Sequence, residues 1–150
     1  MSDAAQDRDA DERVRESFGR QSIMTTIGAS VHSVRRGEVE IVLPFAAHIQ
    51  QQHGFIHAGA VATIADSACG YAALSVMPAD AAVLTTEFKI NLLSPAKGER
   101  MRAIGRVVRA GKKLVITMGE VFADEGGASK QVALITATMM VVHTGTGLRN

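Results

Sequence analysis

The chain has no tryptophan and few other rings: one tyrosine and five phenylalanines, 4% of 150 residues. A surface that stacks nucleobases needs more aromatic side chains than that. Cysteine is nearly absent too. Cys69 stands alone, so no internal disulfide can form, which fits a reducing compartment. An excess of charge of one sign is also missing. A formal net charge of +1 provides no global attraction to nucleic acid or to an anionic membrane surface. The first residues, MSDAAQDRDADERVRE, contain no apolar segment of the kind a secretory signal requires, so the expected location is cytoplasmic. No group of residues has metal-ligand spacing, and neither a metal nor a separate cofactor is expected. Internal repeats and low-complexity blocks are absent as well.

What is present is ordinary for a soluble globular protein: 47% hydrophobic and 21% charged residues, in a length suited to one domain. The longest apolar run, AGAVATIADSACGYAALSVM, begins at Ala58. Read as a membrane span it fails. Asp66 near its middle would cost about 2.5–3.5 kcal/mol on insertion scales. Ala, Gly, Ser and Thr dominate it, and the nearest basic residues are distant, at Arg36 and Lys89. It reads as a buried helix in a soluble protein, stopped by Pro78.

The surrounding sequence reads mostly as strands. Residues 1–9 are expected to be a disordered, solvated tail, with a short helix from about Ala10 to Gln21 and a single domain over 10–150. GASVHSVRRGEVEIVLP suggests two strands about a turn at Arg35–Gly37. A loop over 54–59 leads into the main helix. LTTEFKINLL alternates strictly, placing Leu84, Thr86, Phe88, Ile90 and Leu92 on one face and Thr85, Glu87, Lys89 and Asn91 on the other. A hairpin about AGK and a last strand, KQVALITATMMVVH, complete an α+β domain with a curved antiparallel sheet wrapped around one long helix. The last strand is apolar on both faces, more than one helix can cover, so at least a dimer is expected.

Three stretches carry a resemblance: QQHGFIHAGAVATIADSACGYAA, VLTTEFKINLLSPAKGE and GRVVRAGKKLVITMGEVF. In order and spacing they are similar to the phenylacetic-acid-degradation (PaaI) type of acyl-CoA thioesterase, of the hotdog-fold superfamily. The similarity covers about Phe18 to His143. The family motif has a His-Gly-Gly at a helix start, an acidic residue nine positions after the His, and Asn or Gln six before it. Here His57, Asp66 and Gln51 stand at those positions.

The resemblance implies roles. Asp66 would be the catalytic carboxylate, acting as general base on water or as nucleophile on the thioester. The backbone N–H of Ala58, in the His57-Ala58-Gly59 helix start, would polarise the thioester carbonyl. Gln51 would hold water or the acyl group, and the Thr85 hydroxyl would assist. The substrate is a small-molecule acyl-CoA. The family's sites lie at a homodimer interface, with carboxylate and amide from different subunits, and a dimer of dimers is the expected assembly. Ala58 departs from the motif's glycine, and would be strained if its position demanded a positive φ.

Elementary chemistry points the same way. A helix start offers unpaired N–H groups and about half a unit of positive charge to a developing oxyanion. Burial lifts a carboxylate from an ordinary pKa near ~3.9 towards useful basicity.

Blander roles remain for several residues. Asp66 can be structural, His57 a helix-start organiser, Cys69 and Met139-Met140 core or interface, and His48 and His53 loop residues. Arg109, Lys112 and Lys113 read either as solvated hairpin charges or as a clamp on coenzyme A phosphates. Two other functions fit less well. A dehydratase of this fold resembles a His followed by Pro-Gly, absent here. A non-catalytic acyl-CoA sensor has no need of Asp66 with Gln51.

Overall fold

The computed structural model describes residues 2–143, 145, 147 and 148. Two helices, α1 (Asp3–Gly19) and α2 (Ser22–Ile27), precede strands β1 (Ser30–Arg35) and β2 (Glu38–Pro44). A 3-10 turn, Ala47–Ile49, then leads to the long helix α3 (Ala58–Leu74). Strands β3 (Ala81–Leu92), β4 (Arg100–Ala110), β5 (Leu114–Glu125) and β6 (Ala128–His143) follow. The six strands form one antiparallel sheet in the order β1-β2-β4-β5-β6-β3, with α3 in its concave face. Among the described residues no helix is long and apolar enough to cross a membrane.

Small residues set how closely helix and sheet approach, and the sheet supplies two of them. Gly105 and Gly119 are cross-strand partners on β4 and β5. A methyl group on Gly105 would stand 2.3 Å from the carbonyl carbon of Ala68 and 2.5 Å from the nitrogen of Cys69. One on Gly119 would meet the Cys69 sulfur at 3.0 Å. The main chain of α3 therefore lies directly on a flat spot in the sheet, ringed by buried Val39, Ile64, Met101 and Ile135. Gly105→Ala overpacks this contact and lowers stability by about 1–3 kcal/mol or more, read as a lower urea midpoint with an unchanged slope.

The amino-terminal region differs from the sequence expectation. Helix α1 starts at Asp3, not near Ala10, and covers residues expected to be a solvated tail. An acid in the first turn favours helix at that end, and long-range contacts hold it. Asp7 accepts from the Arg36 amide at 2.9 Å, and the Arg13 guanidinium donates to the carbonyls of Met77 and Pro78, each at 3.0 Å. Ala10 and Val14 are buried. The short α2, unforeseen, ends at Gly28 with φ 83°. The expected domain limit at 150 lies outside the described residues.

A second correction concerns β3. The register slips between Thr85, opposite Met139, and Glu87, opposite Thr138, so Thr86 is an extra residue. This bulge breaks the strict alternation. Thr85 joins Phe88 and Ile90 on the helix side, while Leu84 turns to the outer side with Glu87 and Lys89. On the outer face, an ion-pair ladder runs across β2, β4 and β5 through Arg102 and Arg106. The hydrogen bond from Arg102 holds the Asp124 carboxyl down at about 2. Beside the ladder lies an apolar patch of Leu114, Ile116, Met118 and Met140, each 38–46% exposed.

Candidate active site

The start of α3 is built by its preceding loop. Ile56 donates its amide to Ala96 and His57 donates to Ile49, both at 2.9 Å, fixing where the helix begins. The loop turns at Gly54, φ 84°, and the Gln51 side-chain oxygen accepts from the His53 amide. His57 is the N-cap: its Nδ1 accepts from the Gly59 amide at 2.8 Å. Nδ1 must then be unprotonated, which assigns the ring proton to Nε2. The imidazole folds back so tightly that a methyl group on Gly59 would lie 3.0 Å from Nδ1. The next two amides, of Ala60 and Val61, both donate to the His57 carbonyl. Among the described residues Ala58 alone in this turn has an N–H without an acceptor, and Ala58 is exposed. No described non-glycine residue has a positive φ, so alanine sits at Ala58 without strain. The tight contact in this turn is at Gly59, where a side chain would press on the His57 ring.

Asp66 lies further along the same helix, half-buried. The bulge aims the Thr85 hydroxyl at it, donating to Oδ1 at 2.8 Å. Burial raises the carboxyl above its ordinary value, and the Thr85 hydrogen bond partly opposes that rise. Thr85→Val removes the opposing contact, so the Asp66 titration midpoint moves higher still. Carboxyl carbon NMR over a pH series reads this, and an unmoved or lowered midpoint would contradict it. Burial also pushes the Cys69 thiol up to about 12, leaving it a core group.

The structure divides the sequence-predicted residues between two clefts. Gln51, His57 and Ala58 line one of about 570 Å³, with Phe55, Leu92 and Leu93 as apolar walls. Asp66 and Thr85 line another, of about 310 Å³. Asp66 stands eight positions after Ala58 on the helix, about 12 Å along the axis. Arg109, Lys112 and Lys113 are exposed on the β4–β5 hairpin, at the end of the sheet nearest Thr85 but two strands across from it. They form no ion pair among the described residues. His48 donates from Nε2 to the Thr26 carbonyl, 3.0 Å away, and lines neither cleft. Among the described residues no group of three or more His, Cys, Asp or Glu could hold a metal ion.

Residues missed by sequence reasoning complete the Asp66 cleft. The end of α1 contributes Ser17, Arg20 and Gln21, and α3 adds Ser67, Gly70 and Tyr71. Ser67 donates to the Gln21 side-chain oxygen at 3.4 Å, and the Tyr71 and Ser17 hydroxyls lie 3.3 Å apart. The available signal was helical spacing: Gly70 follows Asp66 by four and therefore shares its face.

The sequence profile of the thioesterase superfamily matches residues 53–130, from the loop before α3 into β6. The chain belongs to the thioesterase superfamily. Its fold is the hotdog fold of that superfamily. A solved thioesterase family protein from Silicibacter pomeroyi is 45% identical, with a TM-score of 0.88 over 89% of this chain and 98% of that one. The Escherichia coli PaaI protein, from the phenylacetic acid degradation operon, superposes with a TM-score of 0.82 over 91% of this chain and 96% of its own. At 20% identity that likeness shows the fold alone. A protein of Halobacterium salinarum named for esterase activity is 31% identical over 94 residues. The match there spans 59% of this thioesterase-superfamily chain and 62% of the halobacterial protein.

Proposed function

We propose that this protein is an acyl-CoA thioesterase of the PaaI type, cytoplasmic, hydrolysing an acyl or aryl thioester to the free acid and CoA. It acts as a homodimer whose sites each combine Asp66 of one subunit with the Ala58 amide of the other. The observation that carries this reading is the separation of the two half-sites. A lone helix-start amide and a half-buried carboxylate lie on one helix, about 12 Å apart and in different clefts. Neither can serve the other's carbonyl within one chain. Two antiparallel copies of α3 bring each Asp66 opposite the other's Ala58.

Attack on the thioester carbon places negative charge on its oxygen, to which the Ala58 N–H donates a hydrogen bond. Asp66 either takes the proton from an attacking water or attacks the carbon itself. In the first route the tetrahedral intermediate expels the CoA thiolate, which recovers that proton from Asp66. In the second, the thiolate leaves as Asp66 forms a mixed anhydride, and water hydrolyses the anhydride to the free acid, restoring the carboxylate and supplying the thiol proton. The Gln51 amide, in the cleft with Ala58, holds water or acyl group, and Thr85 orients the carboxylate. His57 caps the helix and presents the amide. Arg109, Lys112 and Lys113 clamp the CoA phosphates, and no further cofactor takes part.

The exposed edge of the sheet supports the dimer. Strand β3, twelve residues long, is a border of the sheet among the described strands, and Leu84, Phe88 and Leu92 along it are 44–55% exposed. The apolar patch on the outer sheet face then joins two dimers. Purified protein is expected to release titratable thiol from at least one member of a panel of short-, medium-, long-chain and aryl-CoA thioesters. A panel with no thiol release overturns the reading.

A further inference from the structure

We infer that the cleft beside Asp66 is the acyl subsite and that Gly70 sets its size, admitting acyl groups well beyond acetyl; this rests on the thioesterase reading above. Gly70 occupies the interior of α3, a costly place for glycine because of its conformational freedom in the unfolded chain. The usual reason for such a glycine is a close neighbour. Gly105 and Gly119 have one. Gly70 has none: among the described residues no heavy atom outside its own helix lies within 4 Å of where its Cβ would stand. Its φ is not positive, so no backbone conformation demands it either. What the missing side chain leaves open is the cleft of about 310 Å³ that also holds Asp66, one helical turn away. The thioester carbon must meet that carboxylate, so the acyl group extending from it runs past Gly70 towards the end of α1. The wall there is polar, formed by Ser17, Gln21, Ser67 and Tyr71. A hydrogen-bonding group at the far end of the acyl chain therefore finds partners.

The test compares wild type with Gly70→Ala and Gly70→Val on acetyl-, hexanoyl- and benzoyl-CoA. Gly70→Val is expected to lower kcat/KM for hexanoyl- and benzoyl-CoA by roughly tenfold or more relative to acetyl-CoA, as lost pocket volume does. Gly70→Ala should raise Tm, because nothing obstructs its methyl group and helix propensity improves. A uniform change across the three thioesters, or none, overturns the acyl-subsite assignment while leaving the thioesterase reading intact. If wild type hydrolyses no thioester, calorimetric binding of the same three compounds decides. Loss of hexanoyl- and benzoyl-CoA binding alone in Gly70→Val upholds the subsite without the catalysis. Absence of any binding overturns both.

Discussion

Asp66→Asn is expected to abolish thiol release while leaving a folded and more stable protein. The amide keeps the shape and can still accept from Thr85, but it neither takes a proton from water nor attacks carbon. Loss of a positioned base costs roughly 10²–10⁴-fold in kcat. The stability change has the opposite sign. Burial raises the Asp66 pKa in the folded state above its unfolded value of 3.8. The folded protein therefore holds this proton more tightly than the unfolded chain. The advantage is complete below pH 3.8 and is lost as pH rises through the folded value, beyond which the ionised group opposes folding. Asparagine removes that opposition, so Tm at neutral pH should rise and its advantage over wild type should vanish at low pH. Wild-type activity should climb over the same interval. An Asp66→Asn protein with full activity would remove the carboxylate from the mechanism.

The second large effect comes from a residue whose side chain does nothing. Ala58→Pro deletes the one amide in the turn that has no acceptor. Proline suits the first position of a helix, where its missing N–H breaks no hydrogen bond. His57, with φ −59° and ψ 137°, already has the extended conformation that a residue before proline prefers. The fold should survive, and kcat should fall about 10²–10³-fold, equivalent to about 2.7–4 kcal/mol of transition-state stabilisation. Circular dichroism establishes the first point and single-turnover kinetics the second. Mixing the two inactive variants then reads the geometry. If each site draws on both subunits, a mixed dimer keeps one intact site. Unfolding and refolding an equimolar mixture should restore about a quarter of the wild-type rate, given random two-fold assembly. Recovery of nothing would place both groups in one chain's site.

Much of this was legible in the sequence for identifiable reasons. The strands announced themselves by period two, the hairpins by glycine and charge, and α3 by an apolar run between His57 and Pro78. Gln51, His57 and Asp66 stood out through their match to the motif of the resembling family. What stayed hidden was produced by contacts between distant segments. One extra residue, Thr86, turns Thr85 towards Asp66, and a bulge leaves no mark on alternation until the partner strand is known. Helix α1 is held through Asp7 by Arg36 and through Arg13 by Met77 and Pro78, beyond the end of α3, neither visible from local composition. Gly70 and Gly105 look alike as letters. Only the structure shows that one faces open space and the other a helix backbone. Ala58 appeared to be the irregular member of its motif, yet its φ is not positive, and the close approach in this turn is between Gly59 and the His57 ring.

The two borders of the sheet are unequal, and that inequality limits polymerisation. At β1 the border is six residues long, kinked by a register shift after Val31, and the Val31 carbonyl is already taken by Arg15 of α1. At β3 it is twice that length, and among the described strands none pairs with it there. Copies that join along β3 consume their only long border and present two short, partly occupied ones outward. Such a pairing ends at two chains instead of propagating into a fibril, so concentrated solutions should stay clear even though each subunit alone carries a strand that invites addition.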